Sequence, residues 1–178
     1  MRRLLQFQVL LFAFFAITAG GCSRDVIPNT DVEDTSRNRE VLEFCERYRA
    51  AVEERNVPVL MDLASQRYYD DNGTPSGLDD VDYGGLGEKL SIWEEGVLDV
   101  RYEIRYRRVS FNRERVLVDY TYTGSFRVHT PNGERWARRL ADNRLVLTRE
   151  SVSRSQGENG EESDGSDEEE VFRIVSGM

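Results

Sequence analysis

From Leu98 to Tyr106 every second residue is apolar or aromatic (Leu98, Val100, Tyr102, Ile104, Tyr106), and the residues between them are charged (Asp99, Arg101, Glu103, Arg105), with Arg107 next. A helix would scatter these side chains around its axis, whereas a strand sorts them onto two faces. The segment is therefore predicted as a strand with one face buried and the other in water. Asn112 to Arg115 has the makings of a turn, and Val116, Val118, Tyr120 and Tyr122 begin a second alternating strand that continues through Phe126 and Val128. The pair reads as a long hairpin. Near its tip Val109, Phe111 and Leu117 fall in the opposite phase. A β-bulge or a small apolar contact patch would each produce that slip, and the bulge is the simpler reading. Pro131-Asn132-Gly133 marks another reversal. Arg135–Ala141 with Leu145–Leu147 then form one long or interrupted strand, and Val171–Val175 a short last one.

The residues before this run have helical periodicity. After possible N-caps at Asp34, Thr35 and Ser36, the apolar positions Val41, Cys45, Tyr48 and Val52 share one helix face, widened by Leu42, Phe44 and Ala51. Asn56 ends this helix, and Pro58 suits the first turn of a second, which buries Val59, Leu60 and Leu63. Gly73, Pro75 and Gly77 interrupt the chain before a third helix from about Leu86 to Glu95, with Leu86, Leu90 and Trp93 on one side. Helices followed by antiparallel strands give an α+β fold: a curved antiparallel sheet of about four to six strands packed against three N-terminal helices.

This element order, with Arg67-Tyr68-Tyr69 after the second helix, Arg144-Leu145-Val146-Leu147 in the sheet and the closing Phe172–Met178, resembles the nuclear transport factor 2-like (SnoaL-like) cone over residues 36–178. The resemblance implies a pocket between sheet and helices. In some members of that family the pocket performs proton transfer with an Asp, Tyr or His, as in isomerases, cyclases and dehydratases. Tyr48, Tyr68, Trp93, Tyr102, Tyr106, Tyr120 and Tyr122 are the candidate lining, with Tyr69 beside them, and the same rings could equally be core packing. Acid–base work needs a carboxylate or imidazole aimed inward. Asp119 is out of phase with Val118 and Tyr120, so it should face away from the helices and pair across strands with arginines. His129, the single histidine, sits at a strand end. No catalytic residue, cofactor or metal is assigned on this basis. Cys45 reads as a small buried hydrophobe.

The N-terminus determines the expected address. Arg2-Arg3, the apolar run Leu4–Thr18 and the small residues Ala19-Gly20-Gly21 before Cys22 have the order of an export signal. A spanning helix needs roughly 20 apolar residues, and this run is shorter and carries Gln6 and Gln8. Ala19–Cys22 resembles the lipobox of bacterial lipoproteins, with Ala19 where that family most often has Leu. A plain secretory signal and an uncleaved anchor helix are the competing readings. The resemblance implies cleavage after residue 21, acylation of Cys22, and a cell-envelope location. Ser23 in place of Asp favours the outer over the inner membrane. Residues 22–35 are polar, include Pro28, and are predicted as a flexible tether.

Net charge is −9, and much of it lies in residues 151–170, where acids from Glu158 to Glu170 face only Arg154. Such density among Ser and Gly predicts a solvated, mobile loop, and the acids lack the spacing of a calcium loop. No basic stripe interleaved with aromatics is present, which argues against nucleic acid. The expected partners are the membrane, through lipid on Cys22, and either an envelope protein or a small apolar ligand. The functional expectation is a noncatalytic binding or interaction module, with a small pocket enzyme as the alternative.

Overall fold

The computed structural model describes residues 25–153 and 168–178. Three helices come first: α1 (Ser36–Glu53), α2 (Val57–Leu63) and α3 (Tyr83–Gly96). A two-stranded ribbon, β1 (Tyr69–Asp70) with β2 (Val81–Asp82), lies between α2 and α3. The main sheet is antiparallel in the order β3 (Val97–Asn112), β4 (Arg115–Thr130), β5 (Gly133–Ser153), β6 (Glu168–Ser176). The α+β architecture is as expected, with four strands in the curved sheet and three helices against it.

Local chemistry sets the element ends. The Thr35 hydroxyl accepts the Asn38 N–H at 3.2 Å and starts α1. Asn56 caps the start of α2 rather than merely ending α1, accepting the Val59 N–H at 3.2 Å with Pro58 in the first turn. Asp82 does the same for α3 through the Gly85 N–H at 2.8 Å. Arg55, with φ of 57°, turns the α1–α2 corner and donates to the carbonyls of Glu94 and Leu98, tying that corner to the C-terminal end of α3.

The β3–β4 register sorts the two faces of the hairpin. Val100, Tyr102, Ile104 and Tyr106 lie opposite Phe126, Gly124, Tyr122 and Tyr120, all on the helix-facing side. Register shifts at Leu98 and Arg107 insert one extra residue each. The second is the bulge read from the sequence: beyond it Val109 pairs with Val118 and Phe111 with Val116, so both return to the inner phase. The first replaces Leu98 by Val97 as the buried residue at the start of the strand. Asp119 faces outward, its carboxylate accepting from Arg144 at 2.6 Å and Arg108 at 2.8 Å. The acidic segment is shorter than expected, because Ser151–Ser153 pair with Glu168–Glu170 as strand; residues 154–167 lie outside the described residues.

The tether prediction needs correction at its C-terminal end. Pro28 precedes Asn29 at φ 63° in a tight turn, Val26 bridges Glu33, and Val32 enters the core at 2% exposure. The Asp31 N–H donates to the Tyr106 carbonyl at 2.9 Å, and its carboxylate accepts from Arg105 at 2.7 Å and Arg107 at 2.9 Å. Polarity alone suggested a flexible segment. A single buried valine and one carboxylate placed beside two arginines instead dock the chain from Asp25 onward.

Hydrogen bonds from Arg105 and then Arg107 hold the Asp31 carboxyl below its ordinary range, and Arg144 followed by Arg108 does the same for Asp119. Both contributions are complete above the unfolded carboxylate value, near pH 4, and disappear as pH falls through the lower folded values. The stability that these two carboxylates contribute should therefore be lost in thermal melts only as pH falls below about 4. The Asp31→Asn/Asp119→Asn double variant should show a shallower acid decline, and an acid profile identical to wild type would contradict this assignment.

Candidate functional site

The sheet curls over the helices, and a cavity of about 390 Å³ remains between them. Tyr48 and Val52 of α1, Leu60 of α2, and Leu90 and Trp93 of α3 form one wall. Tyr102, Tyr122, Phe126, Arg139 and Asn143 of the sheet form the other, with Asn72 and Met178 at the margin. Leu90 and Trp93 are only half-buried, because they face this space instead of the sheet core. Its size and aromatic lining are those of a small-molecule site. A larger cleft, about 930 Å³, runs between the β3–β4 tip and the end of β6, but it is lined largely by Arg67, Asp71, Arg113, Glu114 and Arg115. That cleft has few apolar walls to exclude water.

Of the candidate lining residues, Tyr48, Trp93, Tyr102 and Tyr122 border the cavity. Tyr120, Tyr106 and Tyr68 do not, and each has a structural occupation. Tyr120 is 1% exposed and packs behind Tyr122, ring centroids 6.3 Å apart. The Tyr106 hydroxyl donates to Glu46, in the middle of α1, at 2.8 Å. The Tyr68 hydroxyl accepts the Met178 N–H at 3.1 Å and donates to Asp70. Tyr69 is exposed and bonds to Asp80. Cys45 is fully buried in the core, and burial pushes its thiol up, away from a reactive thiolate. Cys22 lies outside the described residues.

The sequence reading missed Arg139, Asn143, Phe126 and Gly124. A signal for the first two was present: stepping back by twos from the buried Leu147 and Leu145 reaches Asn143, Ala141 and Arg139 on the same face. Gly124 stands between Tyr102 on β3 and Arg139 on β5. A methyl group there would lie 2.5 Å from the Phe126 ring, so the missing side chain is what lets that ring fold back along the strand.

Gly177 and Met178 close the margin of the cavity. Gly177 has φ of 96°, and a Cβ at that position would meet the Arg144 carbonyl oxygen at 1.9 Å. Its N–H donates to Asp70 at 2.7 Å, and its carbonyl accepts from Asn143 Nδ2 at 3.3 Å. Met178 is thereby held against the opening. These bonds also engage Asp70, so that its carboxylate serves the chain end.

Burial raises the Tyr48 phenol well above its ordinary value and Tyr102 to about 12. At neutral pH both are uncharged donors. The rings of Tyr102 and Tyr122 stand 5.2 Å apart in a tilted pair. No Asp, Glu or His is among the residues lining the cavity. No group of three or more His, Cys, Asp or Glu able to hold a metal occurs among the described residues. The arrangement can enclose an apolar ring, donate hydrogen bonds to it and present one cation, Arg139.

Solved structures share this architecture. The chain has the nuclear transport factor 2-like fold. A candidate dehydratase of that family from Streptomyces avermitilis superposes with a TM-score of 0.55 at 12% identity, over 79% of this chain and 92% of its own. A ketosteroid isomerase-like protein from Erwinia carotovora atroseptica gives 0.53 at 13%, over 80% and 94%. A nuclear transport factor 2-like superfamily protein from Salmonella enterica gives 0.54 at 8%, over 78% and 85%. No protein-family model matches the sequence, and no curated protein is significantly similar to it. These likenesses establish the fold, and function has to be argued from the side chains inside the cone.

Gly177→Ala should cost about 3 kcal/mol, from positive φ and overpacking together. Chemical denaturation of the two proteins measures the difference. A change within 0.5 kcal/mol, the usual scatter of surface substitutions, would contradict the chain-end closure.

Proposed function

We propose that this nuclear transport factor 2-like domain is a noncatalytic module of a membrane-anchored envelope lipoprotein, and that its cavity binds a small, largely apolar ligand. The observation that carries the binding reading is the aromatic cavity of about 390 Å³ whose described lining holds no acidic side chain or imidazole. Proton transfer wants a group titrating near the working pH and in reach of the substrate. Phenols driven upward by burial do not meet that requirement, whereas they suit hydrogen-bonded recognition. Asp119, Asp70 and Glu46 are each committed elsewhere, to arginines, to the chain end and to Tyr106.

Anchoring is supported by Arg2-Arg3, the apolar run Leu4–Thr18 and Ala19-Gly20-Gly21-Cys22. No described helix is long and apolar enough to cross a membrane. An acyl group on Cys22 would supply the attachment, with a second chain or an added amide-linked one making it stable. Because the chain docks from Asp25, only Ser23 and Arg24 separate the lipid from the domain, a reach of about 10 Å. The domain would thus be held close to the bilayer surface, with the outer membrane favoured by Ser23.

Each half of the proposal has its own experiment. In a Trp136→Phe background, the fluorescence of Trp93 should shift and saturate as naphthalene is added, and an unresponsive Trp93 would count against the ligand site. In cells, Cys22→Ser should abolish labelling by a fatty-acid probe and release the protein from the membrane fraction. Undiminished membrane association of that variant would overturn the anchor.

A further inference from the structure

Several sheet arginines, Arg101, Arg115, Arg135, Arg138 and Arg139, make no ion pair with any described residue, and among these Arg139 is the one that lines the aromatic cavity. Arg108 and Arg144 share Asp119, Arg105 and Arg107 share Asp31, and Arg127 is bonded to Glu134 at 2.9 Å. Arg139 instead lines the cavity, in register with Gly124, and its charge acts on the Tyr102 phenol across that glycine. The polar groups around it are mostly donors or already engaged. Asn143 donates to Tyr120 and to the Gly177 carbonyl, and its oxygen accepts the Arg144 N–H at 2.8 Å. The Asn72 amide donates to the Asp79 carbonyl. Phenols and a guanidinium therefore face a space whose described lining offers Arg139 no acidic side chain as a partner.

We propose that the cavity takes an aromatic ring system carrying a carboxylate, with Arg139 selecting the charge; this rests on the ligand-binding reading above and specifies its ligand class. The walls of Trp93, Tyr102, Tyr122 and Phe126 contact the faces and edges of the rings, where offset and edge-on contacts between aromatics are favourable. A cavity of about 150 Å³ admits one benzene, so the space here has room for two fused rings and a short acidic arm. The guanidinium fork matches a carboxylate in two parallel hydrogen bonds, beside the phenols of Tyr48 and Tyr102, which hydrogen-bond to each other and to Tyr120. An amide of the same shape fills the same volume but presents no charge to the fork.

The experiment compares naphthylacetate with the uncharged naphthylacetamide by isothermal titration, on the full chain released from its signal, as wild type, Arg139→Gln and Gly124→Val. Wild type should bind the acid about tenfold or more tighter than the amide, the scale of a charge-assisted contact. Arg139→Gln should bring the two within about twofold, chiefly by weakening the acid, and circular dichroism of the variant checks that this exposed position leaves the fold intact. Gly124→Val, which drives Phe126 into the space, should weaken both ligands. Equal affinities in wild type, or a preference that survives Arg139→Gln, would overturn the selection by Arg139 while leaving the cavity as a ligand site. Binding of neither compound, with a native circular dichroism spectrum, would overturn both.

Discussion

The pairing of β3 with β4 is the constraint on which the rest of the domain depends. One register places Val100, Tyr102, Ile104 and Tyr106 against Phe126, Gly124, Tyr122 and Tyr120, and puts every one of them under the helices. A slip of one residue would turn the tyrosines to water and the arginines inward. The two bulges, at Leu98 and Arg107, keep that sorting while bending the strand, so that the sheet wraps the helices instead of lying flat against them. Arg105 and Arg107, two residues apart on one face of the strand, both reach Asp31, whose N–H bonds to the Tyr106 carbonyl, and so dock the N-terminal segment along the β3 edge.

The interior that results is divided by chemistry. At one end Leu145, Leu147, Val118, Val41 and Ile174 pack with essentially no exposure and form a conventional core. Toward the other end tyrosines replace aliphatic residues, Gly124 removes a side chain altogether, and packing stops short of filling the space. The chain end then closes the margin through Gly177 and Met178, using Asp70 and Asn143 as its anchors. Carboxylates that might have served acid–base chemistry are spent on holding the structure together. What is left facing the cavity is rings, neutral phenols and Arg139.

Period-two and period-helical patterns made the main elements readable before any coordinates, because each strand and helix buries a single face. The bulge near the hairpin tip was legible for the same reason: Val109 and Phe111 break phase, and only an inserted residue restores it. The outward placement of Asp119 followed from parity alone. Lining and packing tyrosines could not be separated this way, since Tyr102 and Tyr106 share one face and differ in what lies above them, cavity in one case and Glu46 in the other. Docking of residues 25–35 was hidden because it rests on one valine and one aspartate, too few residues to make a pattern. Arg139 was readable only by carrying the parity of Leu147 and Leu145 back along β5, because the strand has arginines on both faces and hydropathy near residue 139 does not separate them.

The central claim is that the cone encloses an open, aromatic-walled chamber built to receive a ligand. Xenon settles against apolar walls and scatters strongly, so diffraction from a crystal of residues 22–178 pressurised with xenon tests directly whether the space among these rings is open. The account predicts a xenon site bounded by Trp93, Tyr102, Tyr122 and Phe126, weakened in the Gly124→Val variant. Unoccupied density there, with the same rings collapsed onto one another, would contradict it.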